Sequence, residues 1–124
     1  MSEDSKKIRI EKQDNVVIFL PEGNVGSLSL TEDQQVVMDR MTAAISEMEI
    51  PKIIIDMSEL TFADSTFLSV MVFIWKRITE KGGQMVLAAV PDEIAQILSC
   101  TKLDQVWTSY SERQEAMTAL QTSY

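Results

Sequence analysis

The chain has 124 residues, 45% of them hydrophobic, with one cysteine, no histidine and a formal net charge of −8. That length suits one domain with its own core, and the composition excludes an internal disulfide, a Cys/His metal cluster and any histidine-dependent triad. The acidic balance also disfavours nucleic acid or an anionic membrane as partner, because both select clustered Lys and Arg.

Residues 1–7 are polar and read as a flexible N-terminus ahead of a domain spanning 8–121. They lack the charged-then-apolar pattern of a signal peptide, and no apolar run reaches membrane-spanning length. The expectation is a cytoplasmic protein without direct membrane insertion. Ile8 and Ile10 alternate with charged neighbours, as on an edge strand. Asp14-Asn15 signals a turn, and Val16 to Leu20 is an uninterrupted apolar run, the mark of a strand covered on both faces. Pro21, Gly23 and Gly26 punctuate a loop.

Thr31 and Gln34 form a capping box that starts a helix running to about Glu49, with Val37, Met41, Ala44, Ile45 and Met48 on one face. Pro51 breaks it. Ile53-Ile54-Ile55 opens a second buried strand, residues 53–57, expected to be central because its apolar run is too hydrophobic for a one-sided sheet. A helix follows from Asp64-Ser65-Thr66 to Lys81, stopped by Gly82-Gly83. Met85 to Val90 is a third buried strand. Pro91-Asp92 starts a short helix carrying Ile94, Ile97 and Leu98, and Val106-Trp107 is a last strand candidate. Ser111 with Gln114 reads as a capping box for a final helix lined by Ala116, Met117 and Leu120. Two strands followed by strand–helix alternation predict an α/β fold, a mixed β-sheet with helices packed against it and right-handed crossovers.

The informative stretch runs from Ile53-Ile54-Ile55-Asp56 through Phe62-Ala63-Asp64-Ser65-Thr66-Phe67-Leu68. With Lys81-Gly82-Gly83-Gln84-Met85-Val86-Leu87 and Ile97-Leu98-Ser99-Cys100-Thr101-Lys102-Leu103, it resembles the STAS domain family, of the anti-sigma factor antagonist type. The specific part of the likeness is residues 53–103, and the order and spacing of the three segments carry it. The resemblance implies a STAS-like single domain and a protein-binding module with no catalytic residues and no cofactor or metal. It further implies that the serine after Asp64, Ser65, is the phosphorylation site, with Thr66 as the alternative. The unphosphorylated form would then sequester a serine-kinase anti-sigma factor and free a sigma factor, with a PP2C-type metal-dependent phosphatase reversing the modification. It would act as a monomer or dimer.

The physics of Ser65 agrees with that role. A hydroxyl in the first turn of a helix lies beside unpaired N–H groups and the positive dipole end. Added phosphate charge is accommodated there, while a docked acidic surface is repelled. Asp64 flanks the switch. An Asp or Ser ahead of an apolar run is by itself an ordinary helix cap, so the motif order carries the reading.

Two departures stand out. Phe67 occupies the place where the family usually has Gly, and the loop ahead of the first helix reads Gly23-Asn24-Val25-Gly26 without the family's acids. Lys102 also replaces a common Gly. Asn24 and Phe67 are the candidate partner-binding residues. Phe67 is expected to be partly solvent-accessible, because Leu68, Met71, Val72 and Trp75 form the expected core stripe. The alternative function is a STAS scaffold or subunit of a larger assembly, a stressosome-like complex or a lipid transporter. Cys100 reads as a small buried residue, Trp75 and Trp107 as core, and Asp56 with Asp64 as two acids flanking a loop without the partners of a catalytic pair.

Overall fold

The computed structural model describes residues 8–24, 31–62 and 65–121, and for residues 23–24, 31–35, 61–62 and 65–66 the backbone alone. In chain order the elements are β1 (Ile8–Gln13), β2 (Val16–Pro21), β3 (Gly23–Asn24), α1 (Thr31–Ser46), β4 (Lys52–Asp56) and β5 (Leu60–Phe62). They continue with α2 (Ser65–Glu80), β6 (Gln84–Ala88), α3 (Asp92–Cys100), β7 (Ser109–Tyr110) and α4 (Arg113–Gln121). The main sheet has the order β1-β2-β4-β6-β7, with β1 antiparallel to β2 and every other pair parallel. The sheet is therefore mixed, and β4 is its central strand.

After β1 the strands are added in one direction only, so crossovers of a single hand bring α1, α2 and α3 to the same face. Ile53, Ile55 and Met57 point into the core beneath those helices. Ile54, one residue out of phase, joins Val16, Ile18, Val86 and Ala88 under α4 on the opposite face. Being covered on both sides, β2, β4 and β6 are apolar without alternation. All six residues of β2 are buried.

Helix α1 buries Val37, Met41 and Ile45 at four-residue spacing, with Ala44 and Met48 partly buried beside them. It ends at Ser46, three residues short of the expected Glu49. Its last carbonyls, of Ile45 and Ser46, accept from the Lys81 ammonium at 3.1 and 3.2 Å, a cation supplied to the negative helix end from 35 residues away. The expected capping box at Thr31 and Gln34 involves side chains outside the described residues.

Helix α2 corrects one expectation. Phe67 is fully buried, 0% exposed, together with Leu68, Val70, Met71, Ile74 and Ile78, while Val72 and Trp75 are only half-buried. The core stripe is thus Phe67, Val70, Met71, Ile74 and Ile78, and Phe67 is not a surface residue. From Phe67 to Trp75 the helix is apolar nearly all round, so its own pattern does not orient it. The last turn does: Ile78 is the one apolar residue among Lys76, Arg77, Thr79 and Glu80, and stepping back from it by helical turns gives Ile74, Met71 and Phe67. The helix stops as expected. Gly82, at φ +78°, donates to the Thr79 carbonyl at 2.9 Å and Gly83 to that of Ile78 at 2.9 Å, the paired bonds of a Schellman end.

Three expectations change between residues 97 and 115. Cys100 is exposed, because α3 buries Ile94 and Leu98 and turns position 100 away from them. Val106-Trp107 is not a strand. Lys102 adopts a left-handed conformation (φ 66°), a 3-10 turn at Leu103–Gln105 follows, and Trp107 enters the core edge-on to Trp75 at 6.4 Å while Val106 stays exposed. Sheet bonding resumes only at Thr108, whose carbonyl accepts from Leu87 N–H at 2.9 Å, and β7 follows. Ser111 bonds Glu115, not Gln114, through both its N–H (3.0 Å) and its hydroxyl (2.8 Å).

The Lys102 backbone yields a first prediction. A side chain in the left-handed region costs about 1–2 kcal/mol, part of which glycine would return to unfolded-state entropy. Lys102→Gly should therefore stabilise the domain by about 0.5–1 kcal/mol, read as a higher urea midpoint at unchanged m-value. A lower midpoint would mean that the lysine stem packs usefully against α3.

Candidate functional site

The candidate site lies at the carboxyl end of the central strand. Beyond Asp56, a turn closed by Leu60 N–H to the Met57 carbonyl (3.1 Å) leads into β5. Strand β5 runs parallel to β3 as a separate two-stranded sheet, with Asn24 in register with Phe62. Helix α2 then begins at Ser65. The register thereby sets Asn24 beside the strand that leads to Ser65, 41 positions on. Asp64 lies outside the described residues, as do the side chains of Asn24, Ser65 and Thr66. The backbone nevertheless puts Ser65 at the first helical position, where N–H groups lack intrahelical acceptors and the helix dipole favours an anion.

At helical spacing, position 65 falls in line with Ser69, Phe73, Lys76 and Glu80, all exposed. Phe73 is 38% exposed, with the Arg77 guanidinium 4.9 Å from its ring centre. One turn into α2, Leu68, Ser69 and Val72 face Thr101 and Leu103 across an open groove. A cleft of about 470 Å³ lies at the other end of the parallel strands, lined by Asn15, Ile50, Pro51, Lys52 and residues 82–84. Among the described residues no cluster of three or more His, Cys, Asp or Glu side chains could hold a metal ion. Among them, too, no helix is long and apolar enough to cross a membrane.

Asp56 plays a larger part than its sequence context suggested. It is 3% exposed, the one buried charged residue among those described. Its Oδ1 accepts from Ser58 N–H at 2.9 Å, and its Oδ2 accepts from Arg113 Nε at 2.8 Å. Arg113 also donates through Nη1 to Glu11 Oε1 at 2.9 Å. Burial is the largest single influence on Asp56 and opposes its ionisation. The Ser58 N–H, the Arg113 bond, the Ser58 hydroxyl and the Arg113 charge together outweigh it, so the carboxyl titrates below its ordinary value. On Arg113, burial opposes the charge, and the bonds to Asp56 and Glu11 more than restore it. Neither Arg113 nor Glu11 stood out in the sequence. The available signal was Asp56 itself, since a carboxylate ending an Ile-Ile-Ile strand needs a cation.

Compared with known proteins, residues 7–116 match the family model described as STAS domain. An anti-sigma F factor antagonist of Paenibacillus polymyxa is 28% identical over 82 residues, 66% of this chain and 70% of that protein. An anti-sigma-factor antagonist (STAS) domain protein from Planctomyces limnophilus superposes with a TM-score of 0.79 at 25% identity, over 93% of this chain and 98% of that one. An anti-sigma factor antagonist from Mycobacterium paratuberculosis gives 0.77 at 18% identity, over 92% of each chain, a likeness of fold.

Proposed function

Because the chain belongs to the STAS domain family, we propose that it is an anti-sigma factor antagonist, a cytoplasmic, non-catalytic binding module switched at Ser65. Unmodified, it sequesters a serine-kinase anti-sigma factor and so frees a sigma factor. Phosphorylated, it releases that partner, and a PP2C-type phosphatase resets it. The observation that carries this reading is the start of α2 at Ser65, directly after a loop whose order matches the family's switch motif. The name borne by the Paenibacillus polymyxa relative supports it. Asn24, paired through β3 to the strand entering this loop, belongs to the same docking surface, and Asp64 is the neighbour of Ser65 in the sequence.

The partner would lie along the exposed side of α2. Phe73, rather than the buried Phe67, is the aromatic available to it. The burial of Phe67 also removes one motive for the scaffold or transporter-subunit reading, since the bulky residue standing where Gly is usual fills the core. That reading predicts a large assembly in the pure protein, and the switch reading predicts a monomer or dimer by hydrodynamic mass.

Phosphopeptide mapping after incubation with the cognate kinase should find phosphate on Ser65. Ser65→Ala should keep the kinase bound. Ser65→Asp should weaken binding at least tenfold, a carboxylate carrying part of the phosphate charge to the same helix end. Phosphate on Thr66 alone would move the switch by one residue. Binding indifferent to both substitutions, with neither residue modified, would overturn the proposal.

A further inference from the structure

A chain of alternating charges links Glu22 to β1, α4 and the end of β4. Glu22 Oε2 is 3.1 Å from Arg9 Nη1, Arg9 Nε is 3.2 Å from Glu11 Oε2, Glu11 Oε1 accepts from Arg113, and Arg113 Nε reaches Asp56. Its two ends are the roots of the small sheet. Glu22 immediately precedes β3, and Asp56 ends β4 just ahead of the turn into β5. The two strands rooted there carry Asn24 and lead to Ser65.

We infer that Arg113 is a positioning residue for the Ser65 switch: its bridge from Glu11 to Asp56 fixes the turn that carries β5 and the start of α2. The inference rests on the reading of Ser65 as the switch. Asp56 holds the turn through its bond from Ser58 N–H, and Met57 N–H holds the adjacent peptide to the Ala88 carbonyl at 3.0 Å. Arg113, bonded to Oδ2, holds the carboxylate in the orientation in which Oδ1 accepts from Ser58 N–H. A two-residue strand paired with a three-residue strand has little cohesion of its own, so its roots decide how well it is ordered. Inner and outer links differ in weight. The side chain of Asp56 is 5% exposed and that of Arg113 is 32% exposed, whereas that of Arg9 is 54% exposed and its pairs are screened by salt.

Hydrogen exchange on the purified chain tests the first half. In Arg113→Met, the amides of Ser58 and of residues 60–62 should exchange at least tenfold faster, measured relative to Leu87 N–H, which is bonded to Thr108 in the sheet. Glu11→Gln should have a smaller effect and Arg9→Met the least. Met117→Ala, an apolar truncation on the same helix α4, should move all these amides together. The functional half uses the serine kinase that phosphorylates Ser65. Arg113→Met should bind it about tenfold more weakly, because the partner must now order the loop, and Arg113→Lys should recover part of the loss. Residues 58–62 that stay protected, or that lose protection only in step with Leu87, would overturn the inference. So would a loosened loop with unchanged kinase affinity. If the wild type takes no phosphate at Ser65 or Thr66, the switch reading fails by itself, and the exchange data still decide whether Arg113 fixes the turn.

Discussion

Phe67→Ala should cost about 3–5 kcal/mol of folding free energy, the range for removing a buried phenylalanine ring and leaving a cavity that relaxes only in part. The side chain is 0% exposed and packs within the cluster that joins α2 to β4, with Met71, Ile74, Ile55 and Met57. Domains of this size have total stabilities of roughly 5–15 kcal/mol, so the variant should melt some 10–20 °C lower or fail to accumulate. Phe73→Ala, on the outer side of the same helix, is the matched comparison. It gives up a part-exposed ring and a contact with Arg77 worth about 0.5–1 kcal/mol, and should leave the melting temperature nearly unchanged while weakening partner binding. Thermal melts of the two variants decide the matter. A Phe67→Ala melt close to wild type would mean that the ring is not in the core and would reopen its role on the docking surface.

Asp56→Asn should be destabilising by about 2–3 kcal/mol at pH 7, and the loss should shrink in acid. Asparagine keeps the shape and an acceptor for Ser58 N–H but removes the charge that Arg113 meets at 2.8 Å inside the protein. Breaking a buried pair from one side is expensive, about 3–5 kcal/mol when the remaining charge is stranded. Here Arg113 retains Glu11 and some solvent contact, which lowers the figure. The sign with pH follows from the lowered folded-state pKa of Asp56. Its ionised form contributes fully above the unfolded carboxyl value of about 4, and that contribution fades as pH falls through the lower folded-state value. Urea unfolding of wild type and variant between pH 7 and pH 2.5 should show two curves far apart at neutrality and converging in acid. Equal stability at pH 7 would mean that desolvation cancels the attraction, and a gap that widens in acid would contradict the assigned ionisation.

The strands under α1–α3 were legible because each is a local statement. Val16 to Leu20, Ile53 to Ile55 and Met85 to Ala88 are short apolar runs without interruption, and runs of that length bounded by turn signals suit strands covered on both faces. The turn at Asp14-Asn15, the stop at Gly82, the face of α1 through Val37, Met41 and Ile45, and the place of Ser65 at a helix start are likewise set within a few neighbouring residues. Together they determined the α/β class and the central position of β4, while the family was legible as a resemblance carried by the three segments within residues 53–103.

What the tertiary structure decided depends on contacts between distant residues. The rotation of α2 that buries Phe67 and exposes Phe73 is marked in the sequence only by the lone Ile78 of the last turn; from Phe67 to Trp75 the helix is apolar nearly all round, and packing on the sheet completes the choice. The last carbonyls of α1 find their cation in Lys81, 35 residues on from Ser46. Strand β7 exists at Ser109–Tyr110 only because Leu87 and Ala88 offer it a partner. The pairing of Asn24 with Phe62, and the bond of Asp56 to Arg113 across 57 positions, are of the same kind. A hydrogen bond or ion pair between distant residues leaves no periodicity in the sequence. Its energy exists only once the sheet has brought the two ends together.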